Sequence, residues 1–394
     1  MKVKFLDLGR QPIANKFIES KNEASDEFLF NLGVTFDTDN FLVSLENFVK
    51  PELMFNENYV YHASQSQTMK DHFKEASDEF KLNFNTDRVL EIGSNDGVFL
   101  FNFSKSKAVA VEPCGNFARI IKKNGYKVYD KFWTSELASK INKKEGLFDV
   151  IYSANCMCHI QNLGDAFSGI AKSLSEDGVF IFEDPSLLNM INRNSYDQIY
   201  DEHAHIFSII ALKNLLLEHD LEIFRVESLS VHGGSHRVYT AKIGKREIES
   251  SVRITIMKEK EAKLDKISAY TDFAKRVENS KIELVKLLND FKAEGKKIVS
   301  YGATSKSTTV FNYCKINKNL IDYIVDTTPA KQNKLSPGMH IPVFSDEMFD
   351  EKVDVAFLGA WNFYKEISKK EENFLKRGGV FVTHVPNVRV IKRK

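Results

Sequence analysis

The stretch Val89-Leu90-Glu91-Ile92-Gly93-Ser94-Asn95-Asp96-Gly97 decides the fold of the central part of the chain. A short, mostly apolar run leads into a turn that contains two glycines, which is typical of the first strand and loop of a Rossmann unit. A second apolar run, Ala108-Val109-Ala110-Val111, ends at Glu112. An acid about 20 residues after such a loop accepts hydrogen bonds from ribose hydroxyls. The spacing therefore predicts that the loop and Glu112 hold a nucleoside-type cofactor.

The chemistry of this loop distinguishes between NAD, which carries a pyrophosphate, and S-adenosylmethionine. A pyrophosphate needs a helix N-terminus, usually reached through GxGxxG, and the spacing in GSNDG differs. Asp96 would repel a pyrophosphate, but it suits the positive charges of S-adenosylmethionine. We therefore predict that cofactor, with contacts from Glu91, Gly93, Ser94, Asn95, Asp96, Gly97, Glu112, Pro113, Asp130 and Asn155. Two roles stay open for Asp130, which could bind the adenine amino group or cap the next helix.

Strand and helix patterns alternate outward from this unit and restart after Gly295. Such alternation predicts parallel sheets covered by helices. The predicted fold class is α/β, with a central class I (Rossmann-like) methyltransferase domain, a small irregular N-terminal domain and a C-terminal Rossmann-like α/β domain. The predicted boundaries are 1–86 for the N-terminal domain, 87–250 for the central domain, 251–296 for a helical linker and 297–394 for the C-terminal domain.

Composition restricts the partners and the location. The 55 Lys and Arg residues balance 54 Asp and Glu residues, so nothing favours nucleic acid or an anionic membrane as a partner. We expect a cytoplasmic protein, because the chain shows neither a signal peptide pattern nor the roughly 18 apolar residues of a membrane span. The four cysteines lack CxxC spacing, so we predict no bound metal and no disulfide. The oligomeric state stays open, with a monomer favoured.

Polar groups follow the fourth and fifth predicted strands of the central sheet. Asn155 and His159 come after one strand, and Tyr200-Asp201-Glu202-His203 lies beyond the other. Ligands bind at the carboxyl ends of such strands, so we expect these groups to converge near the methyl donor. An imidazole beside Glu and Tyr can remove a proton near neutral pH. The alternative is that Glu202 and His203 are surface residues at the start of a helix.

The segment His232-Gly233-Gly234-Ser235-His236-Arg237 is predicted to be a tight turn entering a strand. Its two glycines allow close approach of a ligand or of another backbone. For His232 and His236, packing is as good an interpretation as catalysis.

Across nearly its whole length the chain resembles the nucleotide-sugar C-methyltransferases, which place a methyl branch on a deoxysugar. The matching segments are LDLGRQPIAN, NYVYHASQS, VLEIGSNDGVFL, ANCMCHIQNL, YDEH, HGGSHRVY, YGATSKSTT, VDTTPAKQNKLSPGMHIPV and AWNFYKEI. The resemblance implies a small zinc-bearing N-terminal domain, a central S-adenosylmethionine domain and a C-terminal domain that helps hold a nucleoside-diphosphate sugar. It further implies a 4-keto-6-deoxy sugar as substrate, with His203 as the base that forms an enolate.

The resemblance also assigns roles to further residues. Glu202 would orient or polarise His203, while Tyr200, His159 and one of Tyr59 or Tyr61 would contact the sugar or stabilise the enolate. Gly302, Ser305 and Lys306 lie where a strand meets a helix, a natural place for phosphate oxygens. The other residues predicted to bind the substrate are His232, Gly233, Gly234, Arg237, Tyr301, Lys331 and Asn362.

Two departures from the family pattern stand out. No cysteine precedes Cys114, so we predict that zinc is lost and that apolar residues replace it, namely Phe28, Phe30, Leu32 and Phe36. Asp201 stands where the family usually has His, and His205 and Ile206 replace a small residue and a tyrosine. Alternatives are methylation at oxygen or nitrogen, a catalytically retired sugar-binding protein, and a dehydrogenase that uses the C-terminal unit.

Overall fold

Three sheets follow one another along the chain in the computed structural model, which describes residues 1–19 and 21–393. The N-terminal elements are β1 (Lys2–Pro12), α1 (Lys21–Ser25), β2 (Leu29–Asp37), β3 (Val43–Leu45), α2 (Pro51–Met54) and α3 (Gln67–Asn83). The central elements are β4 (Val89–Ile92), β5 (Ala108–Val111), α4 (Gly115–Lys123), β6 (Lys127–Tyr129), α5 (Ser135–Glu145), β7 (Phe148–Ala154), α6 (Leu163–Ser173), β8 (Leu174–Pro185), α7 (Leu187–Asn192), β9 (His205–Ile206), α8 (Ile209–Leu217), β10 (Leu221–Leu229) and β11 (Ser235–Lys242). The remaining elements are α9 (Ser250–Glu261), α10 (Ile267–Ala293), β12 (Ile298–Tyr301), α11 (Ser305–Cys314), β13 (Tyr323–Val325), β14 (Val343–Phe344), β15 (Val355–Leu358), α12 (Tyr364–Lys370), α13 (Glu372–Lys376), β16 (Val380–Thr383) and β17 (Arg389–Ile391).

The N-terminal part contains an antiparallel sheet rather than the irregular structure that we expected. Its order is β1-β2-β3-β9, so the central part of the chain contributes the last strand. Leu32 and Phe36, which we predicted to take the place of zinc, are each 1% exposed in the core of this sheet. Phe30 is only partly buried, and Phe28 is 44% exposed and does not belong to that core.

The central sheet has the order β10-β11-β8-β7-β4-β5-β6, and within it only β11 runs against the other strands. Continuous apolar runs form these strands because both faces of the sheet are covered. Helix α3 packs on one face, where Phe73 and Phe80 contact Tyr152. The order of the strands reverses between β4 and β7, which is where an open α/β sheet binds its ligands. This arrangement confirms the predicted Rossmann-like domain.

The C-terminal sheet has the order β14-β13-β12-β15-β16-β17, and β17 is antiparallel. It repeats the Rossmann order, with α11 starting at the switch point between β12 and β15. Two helices, α9 and α10, lie in the segment between the central sheet and the C-terminal sheet. Tyr270, Phe273 and Val277 of α10 are fully buried in a core that also includes residues of β1 and α11. Among the described residues, no helix is both long and apolar enough to cross a membrane.

Candidate active site

A cavity of about 330 Å³ opens at the carboxyl ends of β4, β5 and β7. Residues predicted for the cofactor and residues predicted for the sugar line it together. The predicted residues in its wall are Tyr59, Tyr61, Glu91, Gly93, Ser94, Asn95, Glu112, Pro113, Asn155, His159 and His232. A concave site with a few polar groups at this edge of the sheet is the place where a ligand is expected.

The loop after β4 brings its backbone close to the cavity. Gly93 has a φ of +74°, and a Cβ added there would lie 2.6 Å from the Sγ of Cys156, so only glycine fits. Opposite this loop, Glu112 accepts hydrogen bonds from the backbone N–H groups of Asn95 at 2.7 Å and Cys114 at 2.8 Å. A carboxylate held in this way keeps lone pairs for the hydroxyl groups of a ligand. Burial raises the pKa of Glu112 to about 7.

A second acid in the cavity wall, Glu91, has one carboxylate oxygen without a partner. The Oε2 atom of Glu91 is buried and accepts no hydrogen bond from the described residues. Burial and the neighbouring Glu112 raise the pKa of Glu91 well above its usual value. A buried polar atom without a partner is costly, so the site fits a ligand that brings donors or positive charge. S-adenosylmethionine has both.

The cavity also has an apolar side that the sequence did not reveal. Phe55, Cys114, Phe132, Trp133 and Ile160 line it. The indole N–H of the buried tryptophan donates to the backbone oxygen of Ala166 at 3.1 Å, which fixes the ring. These residues lie in or beside loops, where no periodic pattern marks them, so only the assembled fold identifies them.

A strap formed by residues 55–64 lies over the cofactor loop. The side chain of Asn95 accepts a hydrogen bond from the N–H of Ala63 and donates one to the oxygen of Tyr61, both at 3.0 Å. Asp96 accepts from the N–H of Ser64 at 3.2 Å and does not line the cavity. Asp96 therefore holds the strap, and its contact with the positive charges of S-adenosylmethionine stays a prediction.

Two other residues predicted for the cofactor lie outside the cavity wall. Gly97 supports the turn itself, because its φ is +86° and an added Cβ would lie 2.5 Å from the ring of Phe101. Asp130 is exposed, and Thr134 rather than Asp130 caps α5 by accepting from the N–H of Leu137. The capping role of Asp130 is therefore wrong, while its contact with the adenine amino group stays a prediction.

Four rings form a column beside the cavity. The imidazole of His159 stacks on Phe55 at 5.3 Å and on His203 at 5.4 Å between ring centroids, with interplanar angles of 17° and 20°. The ring of Tyr200 lies against His203, with 4.1 Å between the ring centroids and an interplanar angle of 36°. Burial lowers the pKa of His159 to about 3, so its ring is neutral at physiological pH. The structure thus brings together three residues that the sequence predicted for catalysis.

His203 is held as a neutral base. Its Nδ1 lies 2.6 Å from the backbone oxygen of Gln198. Because a carbonyl oxygen can only accept, Nδ1 carries the hydrogen and Nε2 keeps the lone pair. Burial, the nearby His159 and more distant charges lower the pKa of His203 well below its usual value. The ring is therefore unprotonated and able to accept a proton at neutral pH.

Glu202 does not orient His203, contrary to the prediction. Its Oε2 accepts from the hydroxyl of Tyr59 at 2.9 Å, and its Oε1 accepts from the amide of Asn15 at 2.6 Å. The group that orients His203 is the Gln198 carbonyl. Glu202 is 3% exposed, so neither it nor His203 is a surface residue. The sequence correctly placed these residues together but assigned the wrong partner.

Comparisons with known proteins agree along the whole chain. The C-methyltransferase NovU of Streptomyces niveus is 30% identical over 393 residues, which covers 98% of this chain and 93% of NovU. The chain belongs to the C-methyltransferases. Three family models match in order, a zinc binding domain over residues 1–55, a methyltransferase domain over residues 61–226 and the C-methyltransferase C-terminal domain over residues 230–386. The cofactor is therefore S-adenosylmethionine, as predicted.

Solved structures also match the central part of this C-methyltransferase. The magnesium protoporphyrin IX methyltransferase of Synechocystis PCC 6803 with bound S-adenosylmethionine is 10% identical, with a TM-score of 0.34, over 44% of this chain and 79% of that chain. An S-adenosylmethionine-dependent methyltransferase of Clostridium acetobutylicum is 15% identical, with a TM-score of 0.35, over 46% of this chain and 94% of that chain.

The zinc binding model covers a segment in which this C-methyltransferase has no cysteine, so zinc loss stays a prediction.

The two glycines of the turn, Gly233 and Gly234, lie against side chains of the protein and do not face an open space. A Cβ on Gly233 would lie 2.8 Å from the ring of Trp361, and one on Gly234 would lie 2.8 Å from the amide of Asn189. Both glycines have positive φ values, +88° and +112°. Of the residues predicted in this turn, only His232 lines the cavity.

Arg237 does not reach the cavity and instead belongs to a buried ionic network. Its Nε donates to Glu183 at 2.7 Å and its Nη1 donates to Glu79 at 2.9 Å. Glu183 also contacts His72 at 2.6 Å and accepts from Tyr152 at 2.8 Å. The predicted substrate contact of Arg237 is therefore corrected to a structural role at the end of β8.

A cluster at the junction with the C-terminal domain includes residues that the sequence analysis missed. Lys306 lies near the start of α11, with its Nζ 5.4 Å from the centroid of Trp361. The indole N–H of that tryptophan donates to Asp197 at 2.6 Å, and the Nε2 of His384 lies 3.5 Å from the same carboxylate. Trp361 is thus a contact between domains, and only the folded chain brings Asp197 and His384 to it.

Other residues predicted in the C-terminal domain have protein partners. Tyr301 donates its hydroxyl to Glu371 at 2.7 Å, and Lys331 donates to the backbone oxygen of Ala303 at 2.8 Å. Gly302 has a φ of +99° and Ser305 begins α11, whereas Asn362 lies in a single helical turn, Trp361–Phe363. Their contacts with a substrate stay a prediction.

Cys158, His159 and His203 place one possible metal ligand each within 4.8 Å of one another. Their geometry does not fit an ion well. The two imidazole rings are stacked nearly parallel, so their in-plane lone pairs do not converge on one point. The absence of a bound metal stays a prediction.

Proposed function

We propose that this C-methyltransferase adds a methyl group to the carbon beside the ketone of a nucleoside-diphosphate 4-keto-6-deoxy sugar. The observation that supports this is the arrangement of His203, whose Nδ1 is fixed by Gln198 and whose Nε2 keeps its lone pair. Methylation at carbon needs such a base, because a C–H bond becomes nucleophilic only when its proton is removed.

In this proposal the residues act in sequence on the sugar. His203 takes the proton from the carbon next to the ketone, and the negative charge moves to the ketone oxygen. When bound, S-adenosylmethionine would supply an electrophilic methyl group to the enolate carbon and would leave as S-adenosylhomocysteine once its carbon–sulfur bond is broken. Tyr59 lines the cavity and donates its only hydroxyl hydrogen to Glu202, so its oxygen is the candidate acceptor for a hydroxyl group of the sugar.

The nucleoside-diphosphate part would bind at the C-terminal domain. Gly302, Ser305 and Lys306 lie at the switch point between β12 and β15, where backbone N–H groups at the start of α11 can receive phosphate oxygens. Lys306 adds a positive charge on the side that faces the central domain, because it packs on Trp361 next to Asp197.

The test is mass spectrometry of nucleotide-linked 4-keto-6-deoxy sugars incubated with the protein and S-adenosylmethionine in heavy water. We expect one added methyl group per sugar and deuterium at carbon in sugar recovered before methylation. Methylation without carbon-bound deuterium would favour oxygen or nitrogen as the acceptor. The absence of both events across several nucleotides would overturn the proposed substrate. A His203→Asn protein is the control, since it should neither exchange nor methylate.

A further inference from the structure

The turn that follows β1 enters the junction of all three parts of the chain. It is closed by the N–H of Lys16, which donates to the oxygen of Ile13 at 3.1 Å. Between them, Ala14 is 2% exposed and Asn15 is half-buried. In the sequence, this turn is far from the residues that line the cavity. A short polar segment that is buried at a domain junction requires partners for its polar groups.

Those partners lie beside the candidate base. The N–H of Ala14 donates to Asp201 at 2.9 Å, and the amide of Asn15 donates to Glu202 at 2.6 Å. The oxygen of Ala14 accepts from the hydroxyl of Thr308 in α11 at 3.1 Å. Two successive residues of the N-terminal part therefore contact the central domain and the C-terminal domain at once.

We propose that Asn15 is a positioning residue for methyl transfer, which holds the Glu202 carboxylate and, through it, the Tyr59 hydroxyl at the cavity wall. This inference rests on the proposed function for its effect on turnover, but the contact itself does not depend on the substrate. It assigns to the N-terminal domain a part in the reaction that does not require a metal.

The chain of contacts from Asn15 to the cavity is short and directional. Asn15 donates to one oxygen of Glu202, and Tyr59 donates to the other oxygen. With both oxygens occupied, the carboxylate cannot rotate, so the tyrosine hydroxyl stays at one position. Hydrogen bonds to a charged group are stronger than neutral ones and are therefore able to fix such a geometry. Tyr59 also packs on Phe55, which stacks on His159.

Asn15 also sets the charge of Glu202. Burial raises the pKa of Glu202, and the hydrogen bonds from Asn15 and Tyr59 lower it. Other charged or titratable groups that act on this carboxylate are Asp201, Tyr59, Tyr200, Cys114, Cys158 and Lys331. When the Asn15 donor is lost, only the hydrogen bond from Tyr59 and the charge of Lys331 remain to oppose the effect of burial on Glu202. A protonated Glu202 would then hold Tyr59 less firmly.

The experiment compares the pH profiles of kcat/KM for Asn15→Asp, Asn15→Ala and wild type, with Asn47→Asp as the matched control. Asn47 is an exposed asparagine of the same N-terminal part. Asn15→Asp keeps the shape but places a second carboxylate against Glu202, and like charges that share a site raise the pKa of one of them. We expect the acid limb to move up by about one unit or more. We expect kcat to fall by about tenfold or more, with S-adenosylmethionine affinity within about twofold of wild type.

The carboxyl titration of Glu202 gives a second measurement that needs no substrate. Protein with ¹³C-labelled glutamate is titrated by NMR, and the Glu202 resonance is assigned with Glu202→Gln. If wild type makes no methylated product, the proposed function fails, while this titration still tests the contact. Profiles and titrations of Asn15→Asp and Asn15→Ala that superimpose on wild type would overturn the inference. If Asn15→Asp does not fold, Asn15→Ala carries the same test, with a smaller expected shift.

Discussion

Replacement of Glu112 by glutamine tests how the protein holds its cofactor. In the structure, this carboxylate accepts from the N–H groups of Asn95 and Cys114 and lines the cavity. Glutamine keeps the size but has one acceptor oxygen and no charge. Its amide group must then face a backbone donor or a ribose hydroxyl. At least one charge-assisted hydrogen bond to the ribose is lost.

The magnitude follows from that single loss. A hydrogen bond to a charged group contributes about 1.5–3 kcal/mol. Because about 1.4 kcal/mol corresponds to a tenfold change in affinity, the Kd for S-adenosylmethionine should rise by about 10- to 150-fold. Turnover at saturating cofactor should stay close to wild type, since the predicted contact of Glu112 is with the ribose and not with the reacting atoms. Calorimetry measures the Kd directly, and Trp133 in the cavity wall provides a fluorescence signal.

Glu112 should also make cofactor affinity depend on pH. With a pKa raised to about 7, Glu112 is protonated below that pH and charged above it. A cationic cofactor prefers the charged form, so wild-type affinity should weaken as the pH falls below about 7, and binding there should release a proton. Glu112→Gln should lose this dependence, and the exposed Glu136→Gln should keep it. An unchanged Kd and an unchanged pH dependence in Glu112→Gln would refute the reasoning.

Three further changes test other parts of the structure. His203→Asn should reduce methyl transfer by about a hundredfold to ten-thousandfold and leave cofactor binding intact, whereas wild-type rates would direct attention to His159. Arg237→Met should lower the free energy of unfolding by about 3–5 kcal/mol in urea, because it leaves Glu183 charged and buried, and adding Glu183→Gln should recover part of the loss. Gly233→Ala should destabilise the protein by about 1–3 kcal/mol through contact with the Trp361 ring, and an unchanged melting temperature would contradict this.

The sequence was sufficient for features that depend on local pattern. The strands of the two Rossmann-like sheets follow from continuous apolar runs, and Glu112 follows from its distance to the glycine loop. The assignments that failed or stay predictions depend on which distant segment lies against a side chain. Asp96 was predicted from its charge to contact the cofactor, yet its carboxylate accepts a hydrogen bond from the N–H of Ser64. Arg237 was predicted from its turn, yet Glu79 and Glu183 neutralise it.

The same reason explains why Asn15 was not found. Its segment, LGRQPIAN, has no spacing that indicates a contact with a residue 187 positions away. Asp197 and His384 were missed for the same cause, since they belong to different domains and meet only at the junction. Long-range hydrogen bonds follow from tertiary structure, and a single sequence carries no direct signal for them.

The strap over the cofactor loop has a consequence for how ligands enter and leave. The strap donates hydrogen bonds to Asn95 and Asp96, so the strap and the cofactor loop are held together. A ligand that orders the loop also protects residues 55–64, by mass action on the closed form. We therefore expect local opening of this segment to accompany the release of S-adenosylhomocysteine. Cleavage of the strap by a protease should accordingly slow as the cofactor concentration rises.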